Sequence, residues 1–293
     1  MPTKYQHQNP VYPRELMRHI KSQLIDDAIE ASWLQAGGND GIRGSAVLFL
    51  LTYKRFGPSK QPELCVLLNK RSQQVLQPGD LCCPGGGVQA PDKILSPLMW
   101  LPFGPLAKWA PGALYPVRHH KMAFRMAVLS ATGLREAWEE IRLNPLKVII
   151  LGPLPVQKLI LFERRIFPLA AWVQPHQWLR PNWEVDRIVY VPLRRMLDPG
   201  NFGRYRLTFN SGRPKEERKK DFPCFIYCGR RNREILWGAT FRIAIDFLKR
   251  VFGFNLPDIN TLPVIRGERG RSYLNGSLWE QSGDTGAEDD EAY

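Results

Sequence analysis

Arg135-Glu136-Ala137-Trp138-Glu139-Glu140 is the stretch on which the reading of this chain turns. It lies within Ala123 to Arg142, whose apolar residues recur at helical spacing and which Asn144-Pro145 brings to a stop. On a helix each residue advances about 100°. Leu134, Ala137, Trp138 and Ile141 therefore collect on one side, and Glu136, Glu139 and Glu140 on the other. Carboxylates at i, i+3 and i+4 are neighbours, and such like charges repel by about a few tenths of a kcal/mol per pair in water. Hard oxygen ligands gathered in this way suit Mg²⁺ or Mn²⁺. Taken alone, the pattern is more often the wet face of an amphipathic helix, with Arg135 and Arg142 balancing its charge.

Outward from this helix the chain mixes strands and helices. Tyr12 to Trp33 carries Leu16, Ile20, Leu24, Ile25, Ala28 and Ala31 at helical spacing and predicts a helix. Ser45–Tyr53 and Leu64–Asn69 are apolar runs of strand length, joined by the polar Lys54–Glu63 loop. A Gly- and Gln-rich loop, Arg71 to Gln89, leads into a Pro- and aromatic-rich segment, Ala90 to Lys121. Beyond the acidic helix, strands are predicted at Val148–Leu151, Leu159–Val173 (one strand, or two broken near Glu163–Arg165) and Arg187–Val191, with shorter ones near Arg204–Phe209, Phe222–Cys228 and Glu234–Trp237. A last helix runs from about Thr240 to Val251. This order implies an α/β fold, a sandwich of helices around a mixed β-sheet. The organisation is an N-terminal extension with a helix (1–42), one domain (43–260) and an acidic tail (261–293) expected to be disordered.

Composition narrows the functional classes. Hydrophobic residues make up 44% of 293, enough for a core, and 25 Pro with 24 Gly imply many loops. No apolar run approaches the ~18 residues of a membrane span. Met1 to Arg14 has no apolar centre and does not read as a signal peptide, so the default expectation is cytoplasmic. Five cysteines without framework spacing argue against a disulfide scaffold, and Cys224 and Cys228 read as two buried thiols rather than zinc ligands. His119-His120 would point two ways and does not suit zinc either. The net charge of +13 attracts anions and fits a substrate with several phosphates.

The acidic run matches the second half of the Nudix box, Arg-Glu-apolar-x-Glu-Glu, and Pro84-Gly85-Gly86 matches its opening turn. Leu67-Leu68-Asn69-Lys70-Arg71-Ser72, Gly79 and Cys83-Pro84-Gly85-Gly86 resemble the longer signature of the coenzyme A pyrophosphatase subgroup. Asn182-Trp183-Glu184-Val185, Val191-Pro192-Leu193 and Trp237-Gly238-Ala239-Thr240 follow in that subgroup's order. The chain thus resembles the Nudix hydrolases over about residues 43–250, with a long insertion (about 90–121) between the two halves of the box. It departs from the pattern in that the first Glu of the box has no assigned counterpart, Arg142 stands where Gly usually follows the Glu pair, and Val75 and Cys83 replace an Arg and an aromatic.

The resemblance implies a Nudix-like α/β/α sandwich that hydrolyses the diphosphate bond of a nucleoside diphosphate derivative, coenzyme A or an acyl-CoA among them. Glu136, Glu139 and Glu140 would hold Mg²⁺ or Mn²⁺, with a carbonyl from Gly85 or Gly86. Arg135 would orient a glutamate, Glu184 would be a further ligand or base, and Lys70, Arg71, Gly85 and Gly86 would meet the phosphates. Solvated charge is the competing account of Lys70, Arg71 and Glu184. Three uses stay open for the insert: a lid, packing against the domain, or a homodimer contact. Two other functional readings also stay open. One is a Nudix-fold nucleotide-binding or regulatory module without turnover. The other is a nucleic-acid binder, motivated by charge alone and lacking any recognised binding signature.

Overall fold

The computed structural model describes residues 13–36, 42, 44–57, 61–109, 119–158, 165–209, 219–229 and 233–269. Residues 1–12, the start of the predicted Leu159–Val173 strand and the acidic end of the tail lie outside these. Among the described residues no helix is long and apolar enough to cross a membrane.

Two sheets form the frame. The strands of the first are β1 (Ser45–Lys54), β2 (Glu63–Arg71), β3 (Leu81–Cys82), β4 (Gly85–Gly87), β5 (Val148–Pro153), β6 (Gln157–Lys158), β7 (Arg165–Val173) and β8 (Val185–Pro192). Their main order is β3-β2-β1-β7-β5, with β4 on β1, β6 on β7 and β8 on β2. The β1–β7 pair is parallel and the others antiparallel, so the sheet is mixed. The second sheet has the order β11-β10-β9-β12, from β9 (Phe202–Phe209), β10 (Lys219–Cys228), β11 (Arg233–Leu236) and β12 (Val264–Arg269).

The unbroken apolar run of β1 follows from burial on both faces. Phe49, Leu51 and Tyr53 enter one core cluster, and Leu48 and Leu50 the opposite one. On the first side lie α1 (Arg14–Leu24) and the C-terminal helix Gly238–Phe252, through Leu16, Ile20, Phe247 and Val251. On the second lie α2 (Asp27–Ala36), the short α3 (Ala90–Leu95) and the long α4 (His120–Ile141). The C-terminal helix is therefore α5. Helices on both faces of a mixed sheet give the α/β sandwich that the element order implies. The second sheet joins the first core cluster through Phe202, Phe225 and Leu236, with Phe202 stacked on Phe254 at 5.3 Å.

Three local expectations need correction. The single helix over Tyr12–Trp33 is two helices, because Ile25 is extended and Asp26 starts a new one by accepting from the N–H groups of Ala28 (2.7 Å) and Ile29 (3.2 Å). Val264–Arg269, assigned to the disordered tail, instead forms β12 in parallel register with β9. Cys228 is exposed at the end of β10, whereas Cys224 is buried. The Ala90–Lys121 segment contains α3 and, at its end, the first two residues of α4. Its described first half packs on the domain. Leu106 and Trp109 enter the α4-side core, and the Ile150 N–H donates to the Pro105 carbonyl at 2.9 Å.

Candidate active site

The site forms where α4 crosses the β4 turn. β4 pairs with the start of β1, Val47 opposite Gly85 and Ala46 opposite Gly86. Gly85 has φ +150°, and a Cβ there would strike the Ala46 carbonyl. At Gly86 a Cβ would strike the carboxyl group of Glu136. The two glycines thus let the turn lie directly against the acidic face of the helix.

Arg135 is a hub rather than a surface cation. Its side chain is 14% exposed and donates to Asp92 through Nε (2.8 Å) and Nη2 (3.2 Å), and to the Gly87 carbonyl (3.1 Å). It also pairs with Glu136 at 3.0 Å and with Glu139 at 3.2 Å. Asp92 is fully buried, and it also accepts from the Thr132 hydroxyl (2.8 Å) and the Gln89 N–H (2.8 Å). Burial works against the charged form of Asp92, but Arg135, the Gln89 N–H and Thr132 outweigh it and hold the carboxyl below its usual range.

Asp92 is the functional residue that sequence reasoning missed. It lies 43 positions before Arg135, at the head of the Ala90–Lys121 segment, on α3. A lone Asp in a segment read as inserted gave no reason to pair it with the distant Arg.

The three helix carboxylates are not equivalent. Glu140 is 9% exposed, and its Oε2 accepts from Asn69 Nδ2 at 2.9 Å. Burial pushes its carboxyl up to about 8, and Glu136 and Glu184 push the same way, while the Gly85 N–H and Arg71 pull it down. Glu136 is also raised, by burial first, with Arg135 opposing and Glu139 and Glu184 adding. Glu139 stands half in solvent and pairs with Arg135.

Glu184 reaches this cluster through two backbone ties. The Asn182 N–H donates to the Glu140 carbonyl (2.7 Å), and the Ser72 N–H donates to the Glu184 carbonyl (2.9 Å). Among the described residues, no three His, Cys, Asp or Glu side chains are already gathered around a point that would hold a metal.

The strand-end cations separate. Side chains alternate along a strand. Asn69 and Arg71 lie toward Glu140, whereas Lys70 pairs with the buried Glu234 of β11 at 2.7 Å. Arg187 of β8 reaches the same Glu234 at 2.5 Å. The structure therefore brings together Arg135, Glu136, Glu139, Glu140, Glu184, Arg71, Gly85 and Gly86, and directs Lys70 to the second sheet. Arg142, in the place of the usual Gly, caps α4 in the left-handed conformation (φ 57°), its guanidinium 5.4 Å from the Trp138 ring centre.

No family model matches the chain, and no curated protein does. Among solved structures, it is similar to a NUDIX hydrolase from Alicyclobacillus acidocaldarius, at 20% identity and a TM-score of 0.34 over 53% of this chain and 81% of that one. A C. elegans Ap4A hydrolase binary complex is similar at 12% identity and a TM-score of 0.31, over 51% and 80%. The NUDIX domain of Shewanella oneidensis NrtR complexed with ADP ribose is similar at 15% identity and a TM-score of 0.30, over 52% and 74%. Likeness at this level decides nothing about substrate or activity, which have to be argued from the side chains.

Proposed function

We propose that this chain is a Nudix-type hydrolase that uses Mg²⁺ or Mn²⁺ to cut the diphosphate bond of a nucleoside diphosphate derivative into two monophosphates. The observation that carries the reading is Glu140. Its carboxyl is buried beside the β4 turn and crowded by Glu136 and Glu184, with Asn69 and the Gly85 N–H donating to it. Negative charge concentrated this way is costly until a cation offsets it. The donors are all oxygens, which fits a hard divalent ion.

Glu136 and Glu140 would hold the ion, with Glu139 turning inward from Arg135 and a carbonyl of the Gly85–Gly86 turn completing the set. When bound, the cation neutralises diphosphate charge and lowers the pKa of a water. Arg135, locked by Asp92, fixes the position of Glu136. Glu184 takes the proton from the attacking water. Arg71 meets the phosphate oxygens, while the glycine turn lets the chain approach them closely. A water oxygen bonds to one phosphorus, the bridging P–O bond breaks, and the leaving phosphate departs with the bridging oxygen. Coenzyme A and acyl-CoA are among the candidate substrates, by the resemblance to the subgroup signature.

A second reading, a nucleotide-binding or regulatory module without turnover, draws support from Glu139, which faces solvent and Arg135. One assay separates the two. Purified protein is incubated with CoA, ADP-ribose, NADH, dinucleoside polyphosphates and capped RNA, with Mg²⁺ or Mn²⁺. Hydrolase chemistry gives monophosphate products that Glu140→Gln abolishes. Binding without products supports the module, and unchanged activity in Glu140→Gln refutes the site.

A further inference from the structure

We infer that Asn69 is a positioning residue for the metal site: its buried amide fixes which oxygen of Glu140 is offered to a divalent cation. The inference rests on the reading of the carboxylates given under Proposed function.

Asn69 is 1% exposed on β2, held between Cys82 of β3 and Ile188 of β8. Its Nδ2 donates to Glu140 Oε2 at 2.9 Å. The Gly85 N–H also donates to this carboxylate. Two donors from two different elements thus hold a side chain that would otherwise rotate about three bonds, and the helix backbone fixes its other end. A metal-binding carboxylate held in this way needs no reordering when the ion arrives.

The other half of the amide gives an independent reason. Asn69 Oδ1 is buried with no hydrogen-bond partner among the described residues. A buried amide acceptor left unsatisfied lowers stability. Leu67, two positions earlier on the same face of the strand, shows what the core accommodates there at no such cost. The chain therefore carries a polar group at a position where packing alone favours an apolar one. The contact that group makes is with Glu140.

The test measures Mn²⁺ binding by the full chain without substrate, from the electron paramagnetic resonance signal of free Mn²⁺. Wild type, Asn69→Leu, Asn69→Ser and Glu140→Gln are compared, with thermal unfolding of each metal-free protein alongside. Asn69→Leu and Asn69→Ser should weaken binding about 10- to 100-fold, with the unfolding curves showing that each variant is folded at the temperature of the binding measurement. Glu140→Gln should lose the site. Serine, which removes bulk rather than adding it, supplies the same measurement should the leucine variant misfold. Wild-type affinity in both Asn69 variants, with binding lost in Glu140→Gln, overturns the role of Asn69 and leaves the metal site standing. No binding by wild type, or unchanged binding by Glu140→Gln, overturns the metal site and this inference with it.

Discussion

Replacing Asp92 with alanine should destabilise the protein by about 3 kcal/mol, the lower end of what breaking a buried ion pair costs. The lower end applies because Arg135 keeps Glu136, Glu139 and the Gly87 carbonyl, and Thr132 keeps its bond to the Val128 carbonyl at 3.0 Å. What is lost is both Arg135 contacts and the partner of the Gln89 N–H. Urea unfolding of metal-free protein, followed by tryptophan fluorescence, gives the number. In a double-mutant cycle with Arg135→Met, the two changes should couple by about 2 kcal/mol, since each removes the other's partner.

Acid adds a check on sign. Because the folded state holds Asp92 below its ordinary range, its stabilisation is fully present above the unfolded pKa of about 4 and is lost as pH falls toward the folded value. Asp92→Ala should therefore lose less stability than wild type on acidification below that point. A destabilisation under about 1 kcal/mol, or additivity within about 0.5 kcal/mol, would refute the hub.

Gly86→Ala places a methyl group against the Glu136 carboxyl, and kcat/KM on the best substrate of the panel should fall on the order of 100-fold; unaltered kinetics would mean that the turn and helix are not held against each other during turnover. Lys70→Ala should cost about 1–3 kcal/mol in urea by stripping a donor from buried Glu234, whereas Arg71→Ala should chiefly raise KM. Reversed phenotypes would contradict the division of the two cations between faces. Glu140 has a folded pKa above its unfolded one, so metal-free protein should lose stability as pH rises from about 4.3 to about 8. Glu140→Gln should flatten that decline in urea midpoints at pH 5 and 8, and an unaltered slope would show that the carboxyl is not buried as described. Arg142→Gly removes a side chain from left-handed backbone and should stabilise by about 0.5–1 kcal/mol, unless thermal melts show that the stacking on Trp138 matters more.

Legibility in the sequence followed periodicity. The continuous apolar run of β1 announced a strand buried on both faces, and the spacing of Glu136, Glu139 and Glu140 announced one side of a helix. Where pairing crosses sequence distance, pattern was silent. Asp92 meets Arg135 only because α3 packs on α4. The break at Ile25–Asp26 depended on a single side-chain cap inside an apolar rhythm that runs straight through it. β12, Val-Ile-Arg-Gly-Glu-Arg, shows no clean alternation, and its strand form comes from its partner β9. Lys70 and Arg71 looked alike as neighbouring cations, and the pleat of β2 sends them to different work.

The anchoring of Pro105–Trp109 sets how freely that stretch can leave the sheet. Swinging that stretch away from the sheet would wet two side chains, Leu106 and Trp109, at roughly 1.5–3 kcal/mol each, and strand the amide of Ile150. An open form with that energy would make up less than about one molecule in a hundred. The Pro105–Trp109 stretch is therefore a fixed part of the domain rather than a hinged flap.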